Sequence, residues 1–277
     1  MISVVILTWN SEKYIEKCIN SLVRDLDFRR APNEIIVIDN GSNDNTLDII
    51  AKLRQKYDRL IVIKLKKNIG TTISRNKGIK KSRGEYLLFL DSDTEVKRGA
   101  IHHLMNTLNK DERVGIVAPR LFYADGTIQY SCKRFPVLHL KLCKYLPVNG
   151  LRRMAEKKEI YANILKSNNV KAKEVDYCIS AAWLVKREAM EEIGLFDERI
   201  FYSPEDVDYC LRMKLQDWKV IYNPLAGVVH HTQRKSYHDI KIACSHFKGL
   251  LYYFKKYHYW FDREKIYHRI RQGQITK

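Results

Sequence analysis

Short apolar runs alternate with helix-like segments along the first 118 residues, and this alternation restricts the fold more than any other feature. The apolar runs are rich in β-branched residues and carry few polar ones, as expected for strands covered on both faces. Strands that alternate with helices predict an α/β fold with a mostly parallel sheet flanked by helices. The predicted strands are Ser3–Thr8, Glu34–Asp39, Leu60–Leu65, Tyr86–Leu90 and Val114–Ala118. The predicted helices are Tyr14–Arg24, Thr46–Lys56, Ile73–Lys81 and Gly99–Asn109.

The regular alternation stops after Pro119 and returns near Tyr177. Residues 131–173 are basic and aromatic, and their prolines predict an irregular insertion. We therefore expect one α/β domain over residues 1–235 and a helical tail over residues 236–277. The later predicted elements are a strand at Tyr177–Val185, helices at Arg187–Ile193 and about Pro204–Gln216, and strands at Lys219–Tyr222 and Ala226–His230.

The tail has the pattern of an amphipathic helix. Its large apolar residues fall mostly on one side, and Lys241, Lys248 and Lys255 recur every seventh residue on another. With its tyrosines, this pattern is typical of a basic helix at a membrane surface, and packing of the apolar side against the domain is the alternative. The apolar residues are Ile242, Phe247, Leu250, Leu251, Phe254 and Phe261.

The net charge of +18 is concentrated in two stretches. Residues 131–173 hold 11 lysines and arginines against 2 acids, and residues 234–277 hold 11 against 3. Such a surface attracts a polyanion, either nucleic acid or an acidic membrane, although solvated lysines alone give the same composition. The basic stretches contain no known nucleic-acid-binding motif, so we expect no nucleic acid partner.

The cellular compartment is predicted from what the sequence lacks. The chain begins with an apolar strand-like run and shows no secretory signal, and no apolar run reaches the ~20 residues of a membrane-spanning helix. The six cysteines are scattered without zinc-site spacing, which suits reduced thiols. We expect a cytoplasmic protein with peripheral contact to an anionic membrane on its inner face.

Polar residues collect where the predicted parallel strands end. Thr8 and Asn10 follow the first strand, Asp39 ends the second, and Asn68 and Gly70 follow the third. The carboxyl ends of parallel strands meet at one edge of a sheet, where ligands bind in folds of this class. Helix N-caps explain some of these residues, so the pattern predicts a site at this edge without proving one.

Asp91 and Asp93 directly follow the buried-strand pattern YLLFL. Two carboxylates two residues apart, where a strand enters a loop, can both reach one hard cation. Oxygen ligands of this kind suit Mg²⁺ or Mn²⁺, which also bind phosphate oxygens. Aspartate pairs are common in turns as well, but the position after a buried strand favours a metal site.

Several long motifs follow one another in order along roughly residues 1–235. They are SVVILTWNSEKYIEKCINSL, EIIVIDNGSNDNT, NIGTTISRNKGIKKSRGEYLLFLDSD and WLVKREAMEEIGLFDERIFYSPEDVDYCLR. Together these motifs resemble those of the inverting nucleotide-sugar glycosyltransferases of family 2, which have a GT-A fold. Agreement of several spaced motifs is far more specific than agreement of any one.

The resemblance implies a nucleotide-binding half at residues 1–120 and an acceptor half at residues 121–235. By position, Thr8 and Asn10 lie beside the nucleotide, and Asp39 accepts hydrogen bonds from the base or ribose. Asn68 and Gly70 belong to the donor segment as well. The implied donor is a dTDP- or UDP-linked sugar.

The same resemblance assigns the residues around the diphosphate. Arg75 and Asn76 match the pair behind it, Asp91 lies near the ribose, and Asp93 binds the metal that bridges the two phosphates. A cation of this kind neutralises the charge that grows on the diphosphate as the sugar departs.

Glu205 and Asp206 form a second acid pair at the start of a predicted helix, where acids are favoured for structural reasons alone. The resemblance makes Asp206 the base that deprotonates the acceptor hydroxyl, with Glu205 orienting the acceptor or Asp206. It also implies that a histidine after the strand at Ala226 completes the metal site. The spacing allows His230 or His231, and we favour His230.

A narrower resemblance points to the bacterial rhamnosyltransferase-like subgroup. It rests on DGTIQ at residues 125–129 and on the tail GLLYYFKKYH, although the same DG pair is a hairpin signal. Ser180 and Ala181 replace the subgroup's usual Gly-Ala on the acceptor side. The implied acceptor is a glycan or polyprenyl-linked hydroxyl in surface polysaccharide synthesis.

Two other function classes remain as alternatives. A nucleotidyltransferase would need a Gly-rich loop after the first strand, and the sequence there is TWNSE. A non-catalytic protein that binds nucleic acid or sugar nucleotide would not need the acids at 91, 93 and 206.

Overall fold

The computed structural model describes residues 1–26, 32–145, 148–161, 164, 171–232 and 240–273. The strands are β1 (Ile2–Thr8), β2 (Glu34–Asp39), β3 (Leu60–Lys64), β4 (Tyr86–Asp91), β5 (Thr94–Val96), β6 (Val114–Phe122), β7 (Ile128–Gln129), β8 (Cys132–Lys133), β9 (Lys173–Glu174), β10 (Tyr177–Cys178), β11 (Ala182–Lys186) and β12 (Lys219–His230). The helices are α1 (Ile15–Asp25), α2 (Thr46–Lys56), α3 (Thr71–Lys81), α4 (Ala100–Leu108), α5 (Leu138–Tyr145), α6 (Asn149–Glu159), α7 (Arg187–Ile193), α8 (Glu205–Leu215), α9 (Ile240–Tyr257) and α10 (Arg263–Arg271).

The central sheet has the strand order β3-β2-β1-β4-β11-β6-β12-β5. Strands β1 to β4 pair in parallel, as do β6 and β12, and β11 runs antiparallel between β4 and β6. The predicted mostly parallel sheet is therefore confirmed. Because β1 has β2 on one side and β4 on the other, the strand order reverses there, and a crevice opens at the carboxyl ends of these strands.

Helices cover both faces of the sheet because the inner strands are apolar on both sides. All six residues of β2 are buried. Ile36 and Ile38 pack into one hydrophobic cluster, whereas Ile35 and Val37 pack into the other. Side chains alternate between the two faces of a strand, so an uninterrupted apolar run contributes side chains to the hydrophobic core on both faces of the sheet.

Three strand predictions differ from the structure in detail. The run Tyr177–Val185 is interrupted, since β10 pairs with β8 in a separate two-stranded sheet and β11 joins the central sheet. The two strands expected after Lys219 form one long strand, β12, with a shift in register between Asn223 and Gly227. The short strand β5, which was not predicted, pairs with the end of β12.

The basic insertion is more regular than predicted. Within residues 131–173 the chain forms helices α5 and α6, so the expectation of irregular structure is wrong there. Ala155 and Glu159 are the buried residues of α6. A helix with so small a buried face lacks the apolar repeat by which helices are recognised in a sequence.

The tail packs against the domain, which is the second of the two alternatives for it. Leu250, Tyr253, Phe254, Tyr257, Tyr259 and Ile266 are all buried in the cluster that contains Phe89 and Trp183. Lys256 and Tyr257 also donate hydrogen bonds to the buried Asp208 of α8. Phe247, Leu251 and Phe261 are exposed, so the apolar residues do not all share the buried side. Among the described helices, none combines the length and hydropathy that a membrane span requires.

Phe254→Ala should lower the free energy of unfolding by about 3–5 kcal/mol, because it empties a fully buried aromatic position between tail and domain. Phe261→Ala is the matched control: its side chain is 64% exposed, so the change should stay within about 0.5 kcal/mol. Urea denaturation of both variants measures the difference. Equal losses would contradict the packing of the tail.

Candidate active site

An open cleft of about 670 Å³ lies at the carboxyl ends of β1 and β4. Eight of the predicted site residues line it, and they come from segments far apart in the chain. They are Asn68, Gly70, Arg75, Asp91, Asp93, Glu205, Asp206 and His230. The remaining predicted residues, which lie outside this lining, are Thr8, Asn10, Asp39, Asn76 and His231.

Asp91, Asp93 and His230 offer ligand atoms that all lie within 4.8 Å of one another. Antiparallel pairing of β5 with β12 places His230 opposite Thr94, next to the two aspartates. The His230 Nε2 atom lies 3.5 Å from Asp93 Oδ1, and its Nδ1 atom lies 3.0 Å from Gln129 Oε1. An Nδ1–H donated to the amide oxygen leaves the Nε2 lone pair facing the carboxylates. This donor set fits a divalent cation.

His231 faces a different environment from His230. Its Nε2 atom lies 2.7 Å from Glu95 Oε1, and its ring stacks on Tyr14 with centroids 5.1 Å apart. Successive side chains at the end of an extended strand point to opposite sides, so only one of two adjacent histidines can face the aspartates. Of the two alternatives, the geometry of the cluster favours His230, as the sequence analysis does.

Arg75 is a buried cation that joins the two acid pairs. Its side chain is 2% exposed, and Nη2 donates to Asp91 Oδ1 at 2.8 Å. The Nη1 atom donates to Glu205 Oε1 at 3.2 Å and to Ser180 Oγ at 2.8 Å. The guanidinium therefore fixes the acids of α8 relative to the end of β4.

The acids of α8 differ in their partners. Glu205 accepts hydrogen bonds from Arg75 and from Ser180 Oγ, whereas Asp206 Oδ1 accepts one from the backbone N–H of Val207. Burial, together with the charge of Asp206, raises the pKa of Glu205 to about 8. Burial also raises the pKa of Asp206. Of the two, Asp206 is the carboxyl that no described cation holds in an ion pair.

Thr8 and Asp39 lie side by side at the ends of β1 and β2 and are fully buried. Asp39 Oδ2 accepts a hydrogen bond from the backbone N–H of Ser42. Asp39 Oδ1 and Thr8 Oγ1 have no hydrogen-bond partner among the described residues. Because a buried polar atom without a partner costs about 1–3 kcal/mol, both oxygens suit hydrogen bonds to a ligand.

Asn10, Asn68 and Gly70 shape the loops around the cleft. Asn10 Oδ1 accepts a hydrogen bond from the backbone N–H of Asn43, and Asn68 Oδ1 accepts one from Gly70. Gly70 has φ +93°, and a Cβ there would lie 2.6 Å from the carbonyl oxygen of Phe201. Glycine at this position therefore lets the loop before α8 close against the start of α3.

Asn76 is a structural residue in its observed contacts. Its Nδ2 donates to the carbonyl oxygen of Phe196 and to Glu198 Oε1, each at 3.0 Å, and its Oδ1 accepts from the Phe196 amide. The side chain thus anchors the loop after α7 and is absent from the lining of the cleft. The assignment of Asn76 to the pair behind the diphosphate stays a prediction, and the contacts of its side chain are with the protein.

Sequence reasoning did not assign two residues of the site, Gln129 and Ser180. The sequence analysis noted that Ser180 replaces the glycine of the resembling subgroup, but it did not predict the hydrogen bond from Ser180 to Glu205. Gln129 lies in the DGTIQ motif, which was treated as a subgroup signature and a turn. Their roles depend on which strands pair, and that information is not local.

Comparison with known proteins agrees with this architecture. A sequence model described as Glycosyl transferase family 2 matches residues 3–194. The poly-beta-1,6-N-acetyl-D-glucosamine synthase of Staphylococcus aureus (strain COL) is 24% identical over 225 residues, which are 81% of this chain and 48% of that protein. The poly(ribitol-phosphate) beta-glucosyltransferase of Bacillus spizizenii is 36% identical over 126 residues, 45% of this chain and 20% of that protein. The chain thus spans about half the length of the first of these relatives and about a fifth of the length of the second.

Solved structures share the fold. The crystal structure of GalNAc-T7 with UDP, GalNAc and Mn²⁺ aligns with a TM-score of 0.62 at 18% identity, covering 83% of this chain and 43% of that one. Similarity at this identity supports the GT-A fold alone. The family model, however, covers well over half of the sequence, and its span includes Asp91 and Asp93. The chain belongs to glycosyltransferase family 2.

Proposed function

We propose that this chain transfers a sugar from a nucleoside diphosphate sugar to an acceptor hydroxyl, with inversion at the anomeric carbon and with the help of a divalent cation. One observation carries the proposal: the cluster of Asp91, Asp93 and His230 shares a single cleft with Glu205 and Asp206. Such a transfer needs stabilisation of a departing diphosphate and removal of a proton from the acceptor. The two groups of acids suit these two tasks.

Nucleotide recognition is assigned to the ends of β1 and β2. Thr8 and Asp39 are buried next to Trp9 and Asn40, which line the cleft, and their unpartnered oxygens would accept hydrogen bonds from the N–H and hydroxyl groups of a pyrimidine nucleoside once it reaches them. A dTDP- or UDP-linked donor presents these groups, and the similar fold of GalNAc-T7 was crystallised with UDP. Rhamnose as the transferred sugar remains a prediction from the DGTIQ motif.

The metal role is assigned to Asp93 and His230, and Asp91, which accepts a hydrogen bond from Arg75, offers the third ligand atom of the cluster. Two carboxylates and the Nε2 atom of His230 fit Mg²⁺ or Mn²⁺, and GalNAc-T7 was crystallised with Mn²⁺. A cation held there would supply positive charge beside the two phosphates. Arg75 is already occupied by Asp91 and Glu205, so its charge is largely committed to the protein.

Asp206 is proposed as the base that accepts the proton of the acceptor hydroxyl. Burial raises its pKa, which strengthens it as a proton acceptor, while Lys133 and other nearby cations favour its ionised form. Glu205 holds its place through Arg75 and Ser180 and would position the acceptor or Asp206. Attack by the hydroxyl opposite the leaving diphosphate inverts the anomeric centre.

The acceptor is proposed to be a glycan or polyprenyl-linked hydroxyl in polysaccharide synthesis at the inner face of the membrane. The support comes from the relatives, which are named for a poly-N-acetylglucosamine and a poly(ribitol phosphate), and from the basic charge. The division into a donor half at residues 1–120, an acceptor half at residues 121–235 and a tail from residue 236 belongs to the same proposal.

A panel of nucleotide sugars incubated with the protein and Mn²⁺ tests the reaction class. Formation of free nucleoside diphosphate is expected, because the donor bond to the sugar breaks. Release of pyrophosphate would indicate a nucleotidyltransferase instead. Binding of a sugar nucleotide without turnover, with every acceptor tried, would favour a non-catalytic role.

Asp93→Asn should weaken Mn²⁺-dependent binding of UDP roughly 100-fold, because it removes a charged metal ligand. Mutation of a residue that only orients a ligand already lowers metal affinity by about 10–100-fold. Calorimetric titration of UDP with and without Mn²⁺ measures the loss. Glu95→Gln, two residues away and outside the cluster, is the matched control and should bind normally. His230→Ala and His231→Ala form a second pair, of which only the first should weaken binding. Equal effects within either pair would contradict the assignment.

Asp206→Asn should lower kcat by about 10²–10⁴-fold, the usual contribution of a general base, and leave the affinity for UDP nearly unchanged. Glu205→Gln is its neighbour in the same cleft, and it should lose much less, because Glu205 is held by Arg75 and Ser180 and glutamine keeps an acceptor oxygen for both. Single-turnover assays with saturating donor separate the two effects. Near-normal turnover by Asp206→Asn would refute its role as base.

A further inference from the structure

The outer surface of α6 combines exposed apolar and basic side chains. Twelve large hydrophobic side chains are exposed among the described residues, and four of them lie between residues 142 and 154. In α6, Leu151 and Met154 are 37% and 38% exposed and share one face with Lys158, because they are spaced by three and four residues. Arg153 and Lys157 are also exposed on the outer side of the helix.

The other sides of α6 are already used by the protein. Ala155 and Glu159 are buried, and Glu159 pairs with Lys141. Arg152 and Glu156 line the cleft on the acceptor side. Helix α6 therefore forms a wall of the cleft on one flank and presents its apolar and basic residues to the surroundings on the other.

We propose that the α6 face, formed by Leu151, Arg153, Met154, Lys157 and Lys158, binds the surface of an anionic lipid bilayer. No ion pair joins its three cations to any acid in the described parts of the chain. Aliphatic side chains interspersed with unpaired cations, on a helix parallel to the protein surface, complement negatively charged headgroups above an apolar interior. A protein partner with a surface of mixed charge would need acids on this face to pair with its own basic residues, and the α6 face contains none.

The position of the α6 face deepens the proposed function, on which this step rests. The bilayer would lie beside the acceptor side of the cleft, so a lipid-linked acceptor hydroxyl could enter past Arg152 and Glu156. The tail is a poorer candidate for the same contact. Its residues Leu250, Tyr253 and Phe254 are buried in the core and cannot enter lipid without unpacking it. Phe247 and Leu251 of the tail are exposed, and the experiment below therefore tests them as the control.

Sedimentation with vesicles tests the α6 face. The full-length protein should bind vesicles of phosphatidylcholine mixed with phosphatidylglycerol and should not bind phosphatidylcholine alone. Replacing Arg153, Lys157 and Lys158 by glutamine should weaken binding roughly 100-fold, and Leu151→Ser with Met154→Ser should weaken it at least about tenfold. Phe247→Ser with Leu251→Ser is the matched control on the tail, and it should bind as the unchanged protein does.

Each outcome decides the proposal. Absence of binding to the mixed vesicles overturns it, as does undiminished binding by the Leu151 and Met154 double variant. A self-associating protein that becomes monomeric in that variant would make the α6 face an interface between two copies and overturn the lipid role. UDP binding is measured on the same samples, so failure of the donor site is distinguished from failure of the membrane contact.

A separate observation concerns the orientation of His230. Gln129 is 8% exposed, and its Oε1 atom lies 3.0 Å from His230 Nδ1. The turn before it is held by Asp125, whose carboxylate accepts hydrogen bonds from the backbone and hydroxyl of Thr127. Strand β7 then pairs with β6 so that Gln129 lies opposite Leu121. The DGTIQ motif thus places the amide oxygen of Gln129 within hydrogen-bond distance of the His230 imidazole.

We infer that Gln129 is a positioning residue that holds His230 through Nδ1, so that Nε2 faces Asp93. This inference depends on the proposed metal role. Gln129→Met keeps the length of the side chain but removes the acceptor oxygen, and it should weaken Mn²⁺ binding in the presence of UDP by about 10–100-fold. Gln129→Glu keeps an acceptor oxygen for Nδ1 and should therefore retain the Mn²⁺ binding that Gln129→Met loses.

A double variant separates positioning from a general loss of structure. Once His230→Ala has removed the imidazole, adding Gln129→Met should cause no further loss of Mn²⁺ affinity. Electron paramagnetic resonance measures the Mn²⁺ affinity of the unchanged protein, of the single variants and of the double variant. Failure of the unchanged protein to bind Mn²⁺ with UDP would refute the proposed metal role. Tight binding by Gln129→Met would refute the inference about Gln129 alone.

Discussion

The buried guanidinium of Arg75 is the contact on which the arrangement of the cleft depends. Its side chain is 2% exposed, and it bonds to Asp91, Ser180 and Glu205. A charge removed from water is tolerated only when its hydrogen bonds are satisfied, and loss of one partner from such a group typically costs about 3–5 kcal/mol. Helix α3, the end of β4, the segment before β11 and the start of α8 must therefore meet in one arrangement.

This contact divides the two acid pairs, Asp91 with Asp93 and Glu205 with Asp206, into two kinds of carboxyl. Asp91 and Glu205 are bound by Arg75, so their carboxylates have fixed positions and a compensating charge. Asp93 and Asp206 are their near neighbours in sequence and lie outside the reach of the guanidinium in the contacts observed. The proposed roles of metal ligand and base belong to Asp93 and Asp206, and the fixed positions of Asp91 and Glu205 help to position them.

The sequence predicts those parts of the fold and the site that depend on local pattern. Strands β1 to β4 are apolar on both sides, and the acids after β4 follow from that strand, so both could be located in advance. The choice of His230 over His231 depends on the pairing of β5 with β12, and the contact between Gln129 and His230 depends on the register of β7. Asn76 looks like a ligand residue until the loop at Phe196 is placed against it. The buried face of α6 is too small to leave an apolar repeat.

The distribution of charge in the cleft supports the proposed role of a cation. The chain is strongly basic overall, yet its cleft contains Asp91, Asp93, Glu205 and Asp206 with a single buried arginine that two of them already occupy. A nucleoside diphosphate would bring further negative charge next to these carboxylates, and at low local dielectric the repulsion between like charges a few ångströms apart amounts to several kcal/mol. Arg152 of α6 and Lys133 line the acceptor side of the cleft, whereas Arg153, Lys157 and Lys158 lie on the outer side of its wall. In the proposed reaction, a divalent cation held by Asp93 and His230 would supply the positive charge that lets these acids take part in binding the donor instead of repelling it.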